Sequence, residues 1–130
     1  MRTTDNKILN LEKNQIFVFG SNLAGRHGKG AAKTALKWGA IYRQGEGIQG
    51  QTYGIPTKDR RIKTLPINEI KIYIDRFVDF VKENKELTFL VTPIGCGLAG
   101  LKPEQIAPLF KDVIDYENVY LPQEFLKILK

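Results

Sequence analysis

Apolar residues along the chain follow two rhythms, and each predicts its own kind of element. Gln15-Ile16-Phe17-Val18-Phe19 is a continuous β-branched and aromatic run ended by Gly20. It predicts a strand buried on both faces, as in the middle of a parallel or mixed sheet. Gln51–Pro56 and Leu87–Thr92 predict two more strands, the first stopped by Pro56, and Asn118–Leu121 a last short one. Helical spacing takes over from Ile67 to about Glu83, where Ile67, Ile70, Ile74, Phe77 and Val81 recur three and four residues apart. Tyr73, Val78 and Phe80 widen that face, which reads as core. Ala31–Trp38 predicts an alanine-rich helix closed by Gly39. Pro103 suits the first turn of a further helix, with Ile106, Leu109, Phe110, Val113 and Ile114 as its inner face. Pro108 should kink that helix or mark an early turn. Pro122-Gln123-Glu124 opens a terminal helix carrying Phe125, Ile128 and Leu129. Residues 40–50 read as loop. Residues 1–14 hold only Ile8, Leu9 and Leu11 as apolar grip, so they add an edge strand or simply lead in.

Strands alternating with helices predict an α/β fold of three layers, α-β-α, around a mostly parallel mixed central sheet. In such sheets ligands sit at the carboxyl ends of the strands. Three loops share that rim: 20–30, 56–61 and 93–100. The first carries Gly20, Gly25, Gly28 and Gly30 and runs straight into a helix. Backbone amides at such a junction suit an anion. Its spacing matches neither a P-loop nor a dinucleotide fingerprint, and a tight strand-to-helix connection is the plain alternative. The third loop, Thr92-Pro93-Ile94-Gly95-Cys96-Gly97-Leu98-Ala99-Gly100, has no side chain larger than Cys or Leu after Ile94. It lets backbone approach a ligand closely.

The chain has 130 residues, 42% hydrophobic and 26% charged, a composition that predicts one soluble domain spanning 1–130. A net charge of +6 favours polyanionic partners, namely nucleotides, phosphates or nucleic acid, beside the plainer reading of a solvated basic surface. A single cysteine, Cys96, excludes an internal disulfide and a cysteine-based zinc cage, and predicts a reducing, cytoplasmic setting. The polar N-terminal stretch Met1–Asn6 lacks the apolar core of a signal peptide, and no run reaches membrane-spanning length. No metal or cofactor is expected.

The strand, Asn-containing glycine loop and helix of Val18-Phe19-Gly20-Ser21-Asn22 with Gly28-Lys29-Gly30-Ala31-Ala32, followed by Pro93-Ile94-Gly95-Cys96-Gly97-Leu98-Ala99-Gly100-Leu101, resemble the macrodomain family. Three motifs in order, Gly28-Lys29-Gly30, Pro56-Thr57-Lys58 and Gly95-Cys96-Gly97, look like the subgroup that removes ADP-ribose from glutamate side chains or DNA bases, including the antitoxins of DNA-ADP-ribosylating toxin pairs. The resemblance covers roughly residues 15–121. It implies a macrodomain-like fold and an ADP-ribose site. Asn22 matches the position, or its neighbour, that contacts the distal ribose. Gly28, Lys29, Gly30 and Ala31 match the loop that wraps that ribose and the pyrophosphate. Gly95, Cys96, Gly97, Leu98 and Ala99 match the second phosphate loop. Lys58 matches the catalytic lysine. Two departures stand out. Some relatives have an Asp where this chain has Ala99, and the first Asn of the family's Asn-x-x-Asn is Phe19 here.

The implied activity is hydrolysis of ADP-ribosyl groups from protein or nucleic acid; the alternative is a non-catalytic reader of ADP-ribose or a related nucleotide. Lys58 would attack the opened sugar after shedding its proton, aided by nearby Arg60 and Arg61 or by desolvation, or else stay charged and stabilise the leaving group. Asp59 holds Lys58 in place, accepts a proton, or is simply a surface carboxylate. Cys96 reads as a small buried hydrophobe rather than a nucleophile, and His27 as a loop residue touching ligand or solvent. A third reading is a nucleic-acid binder using Arg26, Lys29, Lys33, Arg60, Arg61 and Lys63.

Overall fold

A computed structural model describes residues 2–5 and 7–129; Met1 and Asn6, both in the polar N-terminal stretch, and Lys130 lie outside the described residues. Six strands, β1 (Thr3–Thr4), β2 (Gln15–Asn22), β3 (Gly47–Gln49), β4 (Thr52–Lys58), β5 (Thr88–Val91) and β6 (Val119–Pro122), form one sheet in the order β1-β6-β5-β2-β4-β3. Every neighbouring pair is parallel except β3 with β4. The helices are α1 (Gly30–Ala35), α2 (Ile67–Glu83), α3 (Pro103–Ile106) and α4 (Gln123–Leu129). This is a three-layer α/β arrangement with a mostly parallel mixed sheet.

Alternation along β2 explains the layers. Ile16 and Val18 face one side and join Tyr53, Ile55, Phe89 and Val91 beneath α2, α3 and α4. Phe17 and Phe19 face the other, against Ala32 and Ala35 of α1 and Trp38. The helical stripe of α2 buries Ile70, Ile74, Phe77, Val78 and Val81. Each such side chain contributes roughly 1.5–3 kcal/mol. Phe77 is a hub: its ring meets Tyr53 at 5.1 Å, Phe89 at 5.5 Å and Phe110 at 6.2 Å, all edge-on. On the opposite face the small alanines let α1 lie close to the sheet, and a 3-10 turn over Leu36–Trp38 ends at left-handed Gly39, φ 107°.

Several boundaries differ from the sequence pattern, each for a physical reason. β2 runs on through Gly20 to Asn22, because parallel pairing with β4 continues that far. Pro56 does not stop β4. Strand β3 pairs only as far as Gly54, and one extra residue bulges between the Ser21–Pro56 and Asn22–Lys58 pairs. A proline is tolerated at an unpaired edge beside a bulge, where no ladder donor is missed. Residues 40–50 contain β3, hidden in the sequence by Gly47 and the flanking Gly45 and Gly50. Pro108 acts as expected: α3 ends at Ile106 and continues as a 3-10 segment over Ala107–Val113. The N-terminal segment does supply an edge strand, β1, paired to the end of β6. No helix among the described residues is long and apolar enough to cross a membrane.

Candidate ligand-binding cleft

At the carboxyl ends of β2, β4 and β5 lies a cleft of about 650 Å³. Gly20 lines it opposite the Gly95 amide, and a Cβ there would stand 3.4 Å from that nitrogen, in ordinary contact. One wall is the Gly28–Ala32 segment and the other the Gly95–Ala99 loop. Lys58, at the end of β4, closes one end. The sequence-predicted residues Asn22, Gly28, Lys29, Gly30, Ala31, Lys58, Gly95, Cys96, Gly97, Leu98 and Ala99 all line this one cleft. Arg26 and Ile62 join them, as does Glu124 of α4.

Both walls present spare backbone donors. Within the second loop Cys96 N–H donates to the Pro93 carbonyl, Gly100 N–H to Gly97 and Leu101 N–H to Gly95. The amides of Gly95, Gly97, Leu98 and Ala99 find no protein acceptor among the described residues. Across the cleft, the same is true of Gly30, Ala31 and Ala32, and no side chain caps α1. A Cβ on Gly28 or Gly97 would meet nothing within 4 Å, so the backbone is open at those two positions, one on each wall. Leu98, 64% exposed, reaches over the cleft so that its Cδ1 lies 3.5 Å from where a Gly30 Cβ would be. Spare amides on two facing walls suit anionic oxygens.

Asn22 is 7% exposed and its amide is committed to the loop. Its Nδ2 donates to the Arg26 carbonyl and its Oδ1 accepts the Arg26 N–H, both at 2.9 Å. It braces the turn that carries the first wall. His27 corrects the expectation of a loop residue touching ligand or solvent. It is 1% exposed and lies outside the cleft. Its Nε2 contacts the carbonyls of Ile41 at 2.8 Å and Gln44 at 3.0 Å, so Nε2 carries the proton. Its ring packs edge-on against Phe19 and Tyr42. The signal for this role lies 14 to 17 residues downstream, where no local pattern shows it.

Lys58 is held through its backbone on both sides. Its carbonyl accepts the Leu23 N–H at 2.9 Å, and the residue bridges to Thr64. Asp59 neither holds Lys58 nor faces the cleft. Its Oδ1 accepts the amides of Arg61 at 2.8 Å and Lys63 at 3.0 Å, closing a tight turn. Those bonds, the Lys63 amide foremost, hold its carboxyl below the usual carboxylate range. The turn puts Ile62 at φ 65°, a strained angle for a β-branched residue, at the margin of the cleft. Arg60, Arg61, Lys33 and Lys63 of the proposed basic patch do not line the cleft; Arg26 and Lys29 do. Thr64 Oγ1 donates to the Ala99 carbonyl at 2.7 Å, linking the turn to the second loop. Cys96 packs against the main core, and burial, with Glu124 and Glu104 behind it, pushes its thiol up to about 11. A protonated, half-buried thiol is no nucleophile.

A second compartment of about 360 Å³ adjoins the cleft, sharing Ala31, Thr92 and Pro93 with it. Ile8, Leu9, Phe17 and Pro122 give it much of its apolar lining, Asp5 a carboxylate, and Lys7 and Lys37 two ammonium groups. Thr4 lines it too, 5% exposed, with an Oγ1 that has no partner among the described residues. Sequence reasoning missed Asp5, Thr4 and Glu124, because residues 4–9 show no periodicity and Glu124 looks like an ordinary first-turn helix acid. No cluster of metal-ligating side chains occurs among the described residues.

No family model and no curated protein matches the chain. A solved structure of a protein of unknown function from Bacteroides thetaiotaomicron has a similar fold, with a TM-score of 0.63 over 87% of this chain and 88% of that one, at 16% sequence identity. At that identity the likeness extends to the fold.

Proposed function

We propose that the cleft binds ADP-ribose and that the protein hydrolyses ADP-ribosyl groups from protein or nucleic acid. The observation that carries this reading is the pair of facing glycine walls with unpartnered amides, set between Lys58 and an apolar side compartment. ADP-ribose has the same sequence of chemistries. Its diphosphate needs dense donors, which the Gly30–Ala32 and Gly95–Ala99 amides offer without side-chain bulk. Its adenine is flat and apolar with an exocyclic amine, and the second compartment offers apolar walls with the Asp5 carboxylate and the Thr4 hydroxyl as acceptors. Its distal ribose then falls at the Lys58 end. The resemblance to macrodomain ADP-ribosyl hydrolases points the same way.

Hydrolysis breaks a glycosidic bond at the anomeric carbon through an oxocarbenium-like state. A charged Lys58 there stabilises negative charge building on the leaving group, while water completes the exchange. The competing reading is a module that holds ADP-ribose without cleaving it. It is favoured by one observation: among the described residues no carboxylate pairs with Lys58, since Asp59 is bound into its own turn and the position after Leu98 is Ala99.

Calorimetric titration with ADP-ribose tests both readings: saturable binding is expected, and none at about 1 mM ligand would overturn them together. Release of free ADP-ribose from a modified DNA oligonucleotide or glutamate-modified protein then separates hydrolase from reader. For the hydrolase, Lys58→Ala keeps ADP-ribose binding within a few-fold and loses about a hundredfold or more of turnover. Equal turnover by the variant would remove Lys58 from catalysis. Binding to unmodified nucleic acid that falls steeply with salt, with no ADP-ribose binding, would favour the nucleic-acid reading.

A further inference from the structure

We infer that Glu124 reads the free 2′,3′-diol of the adenosine ribose, so that the cleft accepts nucleoside diphosphates with an unmodified diol and rejects those carrying a 2′-phosphate. This rests on the ADP-ribose reading above and names the form of nucleotide that the site selects.

The placement of β6 carries the argument. Its last residue, Pro122, lines the side compartment, and Glu124, two residues on, lines the main cleft. The chain there crosses the boundary between the two spaces, near the shared Thr92-Pro93 ridge. A nucleotide with its base in one space and its diphosphate in the other must pass its ribose over that boundary. Glu124 is the one carboxylate among the described residues lining the main cleft. It is half-buried and makes no hydrogen bond or ion pair with another described residue. Lys58 belongs to the far side: it ends β4, and β2 and β5 separate β4 from β6. Three strand spacings amount to roughly 14 Å. The Coulomb influence of Glu124 on the Cys96 thiol places its charge beside the second loop.

A carboxylate cannot be a phosphate ligand, since like charges repel at such range. It suits a neutral group with two donors. A ribose cis-diol has two neighbouring hydroxyls, and a carboxylate has two acceptor oxygens. Both bonds are charge-assisted and are lost together when the carboxylate is removed. A phosphate on the 2′-oxygen removes one donor and puts negative charge against Glu124.

The experiment titrates the full chain with ADP-ribose, with its 2′-phosphorylated form and with its adenosine-2′-deoxy form. Wild type should bind both analogues about tenfold or more weaker than ADP-ribose, the loss expected from one charge-assisted hydrogen bond. Glu124→Gln should weaken ADP-ribose binding and shrink the penalty against the 2′-phosphate to a few-fold. Equal wild-type affinity for ADP-ribose and the phosphorylated form would overturn the inference while leaving the ADP-ribose reading intact. So would undiminished discrimination in Glu124→Gln. Failure of wild type to bind ADP-ribose at all would overturn both. The wild-type comparison needs no variant, and circular dichroism checks that Glu124→Gln is folded.

Discussion

The two glycine walls face one another across the same cleft, yet they are held in opposite ways. The first is braced from outside. Asn22 clasps Arg26, Ser21 Oγ donates to the Gly45 carbonyl, Arg43 N–H donates to Gly25 at 2.8 Å, and His27 anchors to Ile41 and Gln44. The second is held by its own turns, by Cys96 against the core, and by one side-chain tie from Thr64. A wall braced by distant segments keeps its shape whether or not the cleft is filled. A wall that ties mostly to itself can shift without unfolding its neighbours. The cleft thus has a fixed side, braced by other segments of the chain, and an adjustable side, held mostly by its own turns.

The largest test of that contrast is Gly25→Ala. Gly25 has φ 69°, and a methyl group there would run into the Arg43 backbone. The substitution should cost about 3 kcal/mol or more, read as a lower urea midpoint. The same change at Gly97, where a Cβ meets nothing, should cost under about 0.5 kcal/mol. Equal losses at the two sites would abolish the distinction between the walls. Next comes Asn22→Ala, which strands the Arg26 amide and carbonyl. It should cost about 2 kcal/mol and raise hydrogen exchange at Arg26 and His27, with little change at Leu98. Thr64→Val sharpens the other side. Stability should hold within about 0.5 kcal/mol, while ADP-ribose affinity falls a few-fold as the second loop loses its tie to the Lys58 arm. The smallest effect concerns pH. Burial pushes the folded Cys96 thiol up to about 11, above the ordinary 9.0. A raised folded value means its contribution is complete below about pH 9 and lost as pH climbs through about 11. The thiol is half-exposed, so the effect is modest: a drop in urea midpoint over that window that Cys96→Ala abolishes.

The contrast also explains what the sequence could disclose. Glycine spacing after predicted strands marks the rim, and all the residues proposed for the site fall on one cleft. The second wall is largely local, so its sequence and its shape say the same thing. The first wall depends on partners far along the chain, and there sequence reading erred. Nothing near His27 announces Ile41 or Gln44, and a histidine between Arg26 and Gly28 looks like a surface residue. Asp59 left its reading open, between a partner of Lys58 and a surface carboxylate, and its own turn decides for the second. Pro56 looked like a strand end because the bulge and the shortness of β3 are properties of neighbours. The side compartment was illegible for a related reason: Thr4, Phe17 and Pro122 belong to three different strands, and only the sheet order brings them together. The α2 helix was read nearly to the residue, since one amphipathic stripe against one core leaves little to tertiary context.

The edges of the sheet carry a last consequence. β1 has two residues and β3 has three, and beyond β3 the outer side of β4 is blunted by Pro56 and covered where Leu65 N–H donates to the Thr57 carbonyl. Neither border offers a ladder long enough for a foreign strand to add on, so the sheet resists edge-to-edge aggregation. The open backbone donors are gathered instead on the two walls of the cleft, away from both borders of the sheet.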